Sequence, residues 1–334
     1  MPSRSHILAI FVALCLSLLS TNSFAADLFD MLKRMSEADQ QQNYQGIFIL
    51  RKSDKLSTMR VTHGIDDNDV WESLEALDGE PRKVVRHNDQ VISIFPERKL
   101  VIVRRSDNKQ SLHPKLPENI DQLDLFYTIN RRENDRIANH QALVFDLIPK
   151  DQYRYGYQYW VDKNTGMLLR CDLISENRTV VEQMMFTSLE YLKEPPSQMF
   201  ELQQFETFNQ QVLDEPVVDA QYGADIAWTV NILPKGFVLT QNTMRYSRSA
   251  ITDTNAPQEN IQPDLLHMVY SDGLASVSVF VEKYQGDDKH LQGASTMGAV
   301  NAYGHSLGDY FVTVVGEVPL KTVQAMAQSI SKVP

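Results

Sequence analysis

Cysteine is scarce in this sequence: 334 residues hold two, Cys15 and Cys171. Cys15 lies in an N-terminal segment read below as a removable signal, which leaves one thiol. A single thiol makes no internal disulfide and no thiolate metal cage. Also absent are H-E-x-x-H, a Gly-rich phosphate loop and C-x-x-C, so no local motif announces a zinc protease, a nucleotide enzyme or a redox protein; Gly304-His305-Ser306-Leu307-Gly308 fits G-x-S-x-G, a short pattern that means a hydrolase only at a strand–turn–helix elbow. The remaining histidines, His63, His87, His113, His140, His267, His290 and His305, are scattered, and no two sit at ligand spacing. Asp66-Asp67-Asn68-Asp69 is the densest acidic cluster; it lacks the alternation and glycine of a calcium loop and reads as a solvated turn. No metal, cofactor or catalytic set is expected. Excess positive charge is missing too. A net charge of −11 opposes non-specific nucleic-acid binding.

Long apolar runs are absent after the first residues. Ile7 to Leu19 is apolar apart from Ser17, follows the weakly basic Arg4 and His6, and ends at a small-x-small signal, Ser23-Phe24-Ala25. Residues 1–25 therefore read as a cleaved secretory signal peptide, too short for a comfortable membrane span. Export to the periplasm is the expectation. Val12-Ala13-Leu14 places no small residue before Cys15, which argues against lipidation there. In Met167 to Leu173, strand alternation puts Cys171 beside Met167, Leu169 and Leu173, as a buried packing residue.

What the sequence does contain is strand pattern. Leu28, Met31, Leu32, Met35 and Ala38 recur at helical spacing, so the mature chain opens with an amphipathic helix to about Gln42. Strands are then predicted over 44–51, 57–63, 70–77, 83–86, 91–95 and 100–105, with gaps too short for parallel crossovers. A helix over 118–129 precedes strands over 131–138, 141–149, 153–162, 167–174 and 180–190. The composition breaks at Pro195-Pro196, and 201–222 reads as an interdomain linker. A smaller unit over 223–334 follows, with strands, a hairpin at Ser271-Asp272-Gly273, and a closing helix carrying Leu320, Val323, Ala327 and Ile330 on one face. The expected architecture is mainly β (α+β), with an N-terminal domain over 26–200.

Several N-terminal strands are apolar on both faces, as in Leu100-Val101-Ile102-Val103 and Gly46 to Leu50. An antiparallel sheet wetted on one side should alternate. Either helices pack on the second face or a cavity lies there. Tyr153, Tyr155, Tyr157 and Tyr159 fall on one face of one strand, with Trp160 opposite, as packing residues or as ligand contacts. The segment from Arg82 to Lys109 holds eight basic residues against three acidic ones. It is either a protected sheet edge or a surface that orients an anionic ligand.

Asn43-Tyr44-Gln45-Gly46-Ile47-Phe48, Arg60-Val61-Thr62-His63, Leu77 to Arg86, Arg136-Ile137-Ala138, Pro149 to Tyr157 and Trp160-Val161-Asp162 form one ordered set of motifs. Leu233-Pro234-Lys235-Gly236-Phe237, Tyr270-Ser271-Asp272-Gly273-Leu274 and Val315-Gly316-Glu317-Val318-Pro319 continue it in the second unit. Together they resemble the sigma-E factor regulatory proteins of the RseB/MucB type across the mature chain. Asn139-His140 departs from a Gly-Arg pattern there. The resemblance implies a half-open antiparallel barrel wrapped around helices, similar to the lipoprotein-carrier fold, plus a small C-terminal sheet with a helix. It also implies a non-enzymatic negative regulator that binds the periplasmic domain of a membrane-spanning anti-sigma factor. That regulator would shield its partner from proteolysis and let go on binding lipopolysaccharide or a related amphiphile. On that reading Phe48, Leu50, Trp71, Ile94, Phe95, Ile102 and Val103 line an apolar cleft. Arg82, Arg86, Arg104 and Arg105 meet anionic head groups, and Tyr303, Tyr310 and Phe311 face the protein partner. A homo-oligomer is compatible with this, and a lipoprotein or lipid carrier is the alternative.

Overall fold

A computed structural model describes residues 33–35, 38, 41–66, 69–105, 123–196, 205–213, 228–245, 265–283 and 290–333. The signal segment, most of the predicted first helix and all of residues 247–263 fall outside them. Lys33–Met35, Ala38 and Gln41 are helical, with Met35 and Ala38 buried as the periodicity requires.

Among the described residues the N-terminal unit is one sheet of 13 strands. A six-strand meander opens it: β1 (Asn43–Lys52), β2 (Lys55–Asp66), β3 (Asp69–Ala76), β4 (Lys83–His87), β5 (Gln90–Phe95) and β6 (Leu100–Arg105). Helix α1 (Leu123–Phe126) runs directly into β7 (Tyr127–Arg131), followed by β8 (Asp135–Ile137), β9 (His140–Pro149), β10 (Gly156–Asp162), β11 (Leu168–Ile174) and β12 (Val180–Leu192). β12 returns to β1, giving the order β6-β5-β4-β3-β2-β1-β12-β11-β10-β9-β7, with β8 on β9. The sheet stays open, as expected of a half-open barrel. The helix predicted to reach Ile129 ends three residues earlier. Tyr127, Thr128 and Ile129 pair instead with Pro149, Ile148 and Leu147, where β-branched and aromatic side chains suit a strand. The predicted strand over 153–162 begins only at Gly156, so Tyr153 and Tyr155 sit in the preceding loop.

Register assigns side chains to faces, because directly opposed residues in an antiparallel pair share one. Phe48 opposes Met59 and Phe186, and Val61 opposes Leu74. Together with Met35, Leu123 and Phe126 from the helical segments these residues form the main core, and the face that carries them is the inner one. Gly46 is needed there: a Cβ would stand 2.7 Å from the Phe186 ring.

The predicted linker holds a strand. β13 (Asn209–Leu213) pairs in parallel with β6 and extends the sheet at its otherwise free edge. Phe205 and Phe208, 5.3 Å apart edge to face, pack on the outer-face cluster Val85, Ile92, Ile94 and Val101.

Among the described residues the C-terminal unit has a six-stranded sheet of order β15-β16-β17-β20-β19-β18. Its strands are β15 (Val238–Arg245), β16 (Leu265–Ser271), β17 (Ser276–Lys283), β18 (Gly293–Met297), β19 (Val300–Leu307) and β20 (Tyr310–Gly316). Helix α2 (Leu320–Gln328) packs on it through Val323, Met326 and Ala327. β14 (Trp228–Val230) pairs with β21 (Ile330–Lys332). β18 and β19 form a hairpin, with Gly298 at φ +65° in its turn.

Candidate functional site

The seven predicted cleft residues do not share one surface. Phe48, Leu50, Phe95 and Ile102 project from the inner face: Leu50 opposes Met184, Phe95 opposes Leu100, and Ile102 opposes Ser93. Trp71, Ile94 and Val103 project from the outer face, where Ile94 is fully buried and all three belong to the cluster covered by Phe205 and Phe208. The strands are apolar on both faces because both are covered, the outer one by the chain's own linker.

The basic residues divide in the same way. Arg86 and Arg104 lie on the inner face, on either side of Val91 in one transverse row; Arg105 lies on the outer face and Arg82 is exposed ahead of β4. Arg86 is buried opposite the buried Glu72, which in turn opposes the buried His63. Opposite charges placed across neighbouring strands stabilise one another in a low-dielectric setting. Arg104 is exposed on the inner face.

In the C-terminal unit Phe311 is fully buried, with its ring 4.3 Å from that of His290, so it is a core residue and offers no surface. Tyr303 and Tyr310 are half-buried. Tyr310 meets Trp228 edge to face and carries Lys332 4.3 Å over its ring.

Polar chemistry gathers in two places. Asp162, almost wholly buried, accepts from Asn164 N and Thr165 N through Oδ1; its Oδ2 accepts from Tyr191 Oη and faces His140 Nδ1 at 3.1 Å. Thr165 Oγ1 bonds to Tyr191 Oη and not to His140, so the set fastens the β10–β11 hairpin and has no base–nucleophile pair. Burial pushes the Tyr191 phenol well above its ordinary value.

The second gathering lies where the two units meet. The loop from Lys150 to Tyr155, between β9 and β10, inserts Arg154 with no side-chain exposure. Its guanidinium donates to Asp151 (Nε–Oδ1 3.1 Å, Nη2–Oδ2 2.8 Å), to the Lys235 carbonyl at 2.6 Å, and through Nη1 to Asp272 Oδ2. Asp272 is equally buried, and its Oδ1 accepts from Leu274 N and Ala275 N, so one carboxylate shapes its own turn and receives the arginine. The rings of Phe126, Tyr127 and Phe237 surround the cation at 5.0, 5.8 and 5.3 Å. Gly236, at φ +91°, leaves the space that the Phe126 ring fills. Around this centre Thr322 Oγ1 donates to Tyr153 O (2.8 Å), Asn301 Nδ2 to Tyr155 Oη (3.0 Å) and Lys321 Nζ to Gln152 Oε1 (3.1 Å).

Sequence reasoning assigns Arg154 no role. Its local signal is an arginine between two tyrosines, three residues after an aspartate; the partner 118 residues away, Asp272, is marked in sequence only as a hairpin turn residue. Three motifs from the sequence, Pro149 to Tyr157, Leu233 to Phe237 and Tyr270 to Leu274, meet at this one joint.

A large open sheet packed round helices, a small second sheet and a buried polar joint between them define a two-domain, β-rich binding protein. Residues 27–205 match the MucB/RseB N-terminal domain and residues 223–331 the MucB/RseB C-terminal domain, so the chain belongs to the MucB/RseB family. It is 31% identical over 318 residues to the sigma factor AlgU regulatory protein MucB of Pseudomonas aeruginosa, covering 92% of this chain and 91% of that one. To the sigma-E factor regulatory protein RseB of Escherichia coli K12 it is 25% identical over 302 residues, covering 90% and 89%. The solved MucA/MucB complex of P. aeruginosa contains a chain 28% identical, with TM-score 0.66 over 92% of this chain and 99% of that one. A MucB crystal structure in complex with MucA(peri) is 28% identical, with TM-score 0.64 over 91% and 98%. By name this is a family of regulatory proteins rather than enzymes. β13 lies between the two matched segments.

Proposed function

We propose that this chain is an exported periplasmic negative regulator of a sigma-E-type factor. It binds the periplasmic domain of a membrane-spanning anti-sigma factor and shields it from regulatory proteolysis. It is released when lipopolysaccharide or a related amphiphile binds. The observation that carries the reading is likeness through both domains to MucB, a protein solved in complex with MucA.

In physical terms this is linkage between two ligands: the amphiphile must favour a state that the protein partner disfavours. The part-buried inner-face residues Leu50, Phe95 and Ile102 are the proposed acyl-chain contacts, with Arg104 at an exposed position of the same face for the head group; Phe48 is buried in the core beside them. Tyr303 and Tyr310 are the proposed partner contacts, since half-buried aromatics combine fixed geometry with available area.

The test is titration calorimetry of the chain from residue 26 onward with an anti-sigma periplasmic domain, repeated with added lipopolysaccharide. Binding that weakens as lipopolysaccharide saturates, together with protection of the partner from its protease, is the expected result. No binding at micromolar concentrations would turn the reading to a lipoprotein or lipid carrier.

A further inference from the structure

Packed side chains lead from the proposed acyl contacts to the interdomain joint. On the inner face Leu50 opposes Met184, Met184 opposes Cys171, and Cys171 opposes Tyr159. The Tyr159 ring stacks on Tyr157 at 5.6 Å, Tyr157 meets Tyr127 edge to face at 6.3 Å, and Tyr127 is one of the rings beneath Arg154. Arg154 then crosses to Asp272 and Lys235 of the C-terminal unit. The guanidinium is the only group in this row that bonds to both units.

From this we propose that Arg154 is a positioning residue: it pins the two domains in one orientation, and withdrawal of its guanidinium from the Asp272 socket is the step by which an occupied inner face loosens the grip on a protein partner. The proposal rests on the functional reading above for its ligands, while the pin itself rests on the joint alone. The physical ground is bistability. A buried cation between two carboxylates, a carbonyl and three rings is either fully seated or hydrated outside, because a partly seated charge keeps neither its water nor its partners. A row of packed rings transmits displacement, since close-packed side chains move by repacking and not by compression. Coupling between distant sites needs an element with two discrete states, and the seated and withdrawn positions of Arg154 supply it.

Thr322 provides the measurement. It is fully buried in the joint against Tyr153, so a thiol at this position reacts only when the joint opens. Thr322→Cys is made in the chain from residue 26, and labelling by a water-soluble maleimide is timed; the chain without this substitution supplies the background from Cys171. Without any amphiphile, adding Arg154→Met should speed labelling roughly ten-fold or more by raising the population of open joint. Arg154→Lys, which keeps the charge but not the fork that reaches three acceptors, should fall between. If Arg154→Met unfolds the chain by circular dichroism, Asp272→Asn, which keeps the size, decides the matter in its place. Labelling as slow as in the chain carrying Thr322→Cys alone overturns the pin.

A second arm adds lipopolysaccharide to the Thr322→Cys chain, with binding followed by light scattering on the same sample. Bound lipopolysaccharide should raise labelling toward the Arg154→Met rate. Bound lipopolysaccharide that leaves labelling unchanged overturns the coupling. Failure of lipopolysaccharide to bind removes it as the releasing ligand and with it this coupling, while the first arm still decides the pin.

Discussion

Cys171 and Glu317 illustrate how position sets the chemistry of a single residue. Cys171 faces the core between Met184 and Tyr159, and burial pushes its thiol far above the ordinary value, with the nearby Asp172 carboxylate adding to the shift. The thiolate is the reactive form, so Cys171 should resist a thiol reagent at pH 8 in the native chain and react fully in denaturant. Stoichiometric native labelling would contradict this. Glu317 has its carboxyl raised by desolvation and by Glu182, with Lys52 opposing. A carboxyl raised in the fold costs stability once pH exceeds the unfolded value: the cost grows between the ordinary value of 4.5 and the raised one, then stays constant. Because Glu317 is exposed and solvent screens its charge, Glu317→Gln should raise the melting temperature only slightly at pH 7 and make no difference below about pH 4, measured by thermal unfolding across pH. The inward placement of Cys171 is legible from alternation in Met167 to Leu173, while the residue itself is only part-buried. The environment of Glu317 is not, because Glu182 approaches only after the two domains dock.

At the scale of elements, most strands are legible because periodicity and turn residues act locally. Gly166, Gly273 and Asn88 mark turns that adopt positive φ. The elements that depart from expectation share one cause, which is that a partner distant in sequence decides the outcome. Tyr127 to Ile129 continue a helical pattern, but β9 offers strand hydrogen bonds. β13 has no apolar alternation and reads as linker; the open edge of β6 makes it a strand. All five of its residues are exposed, so its hold comes from backbone pairing and from Phe205 and Phe208. Replacing both phenylalanines with alanine should release it. Truncation of a buried Phe costs about 3–5 kcal/mol, and these half-buried rings should cost less each. Hydrogen exchange should accelerate in 209–213 and along the β6 edge while the C-terminal sheet is unchanged; uniform acceleration everywhere would mean that the segment is part of the global core. Gly236→Ala is the matching test at the joint. It meets both a positive φ and the Phe126 ring, so it should destabilise the chain even though the methyl is added on a turn. A melting temperature equal to that of the parent would show that Phe126 can yield.

For the whole molecule, the question is whether the two sheets behave as one body. Each has its own apolar core, which would allow independent unfolding. Against that stands a joint whose centre is an ion pair with no solvent exposure on either side chain. Such a pair contributes modestly compared with an apolar replacement, but removing one member leaves a buried charge and costs about 3–5 kcal/mol. Asp151, part-exposed and still bonded to Arg154, should reduce that cost when Asp272 is the member removed. The parent chain should then show a single calorimetric transition, because neither domain can unfold without stranding Arg154 or Asp272. Asp272→Ala should split it in two: the C-terminal unit also loses the carboxylate that orders its Leu274 and Ala275 amides, so the lower-melting transition should belong to it. The assignment follows from tryptophan fluorescence at Trp228, which lies in the C-terminal core, against Trp160 in the N-terminal one. Two transitions in the parent would mean that the joint closes without coupling stability, and a single transition kept in Asp272→Ala would place the coupling in the surrounding contacts of Thr322, Asn301 and Lys321.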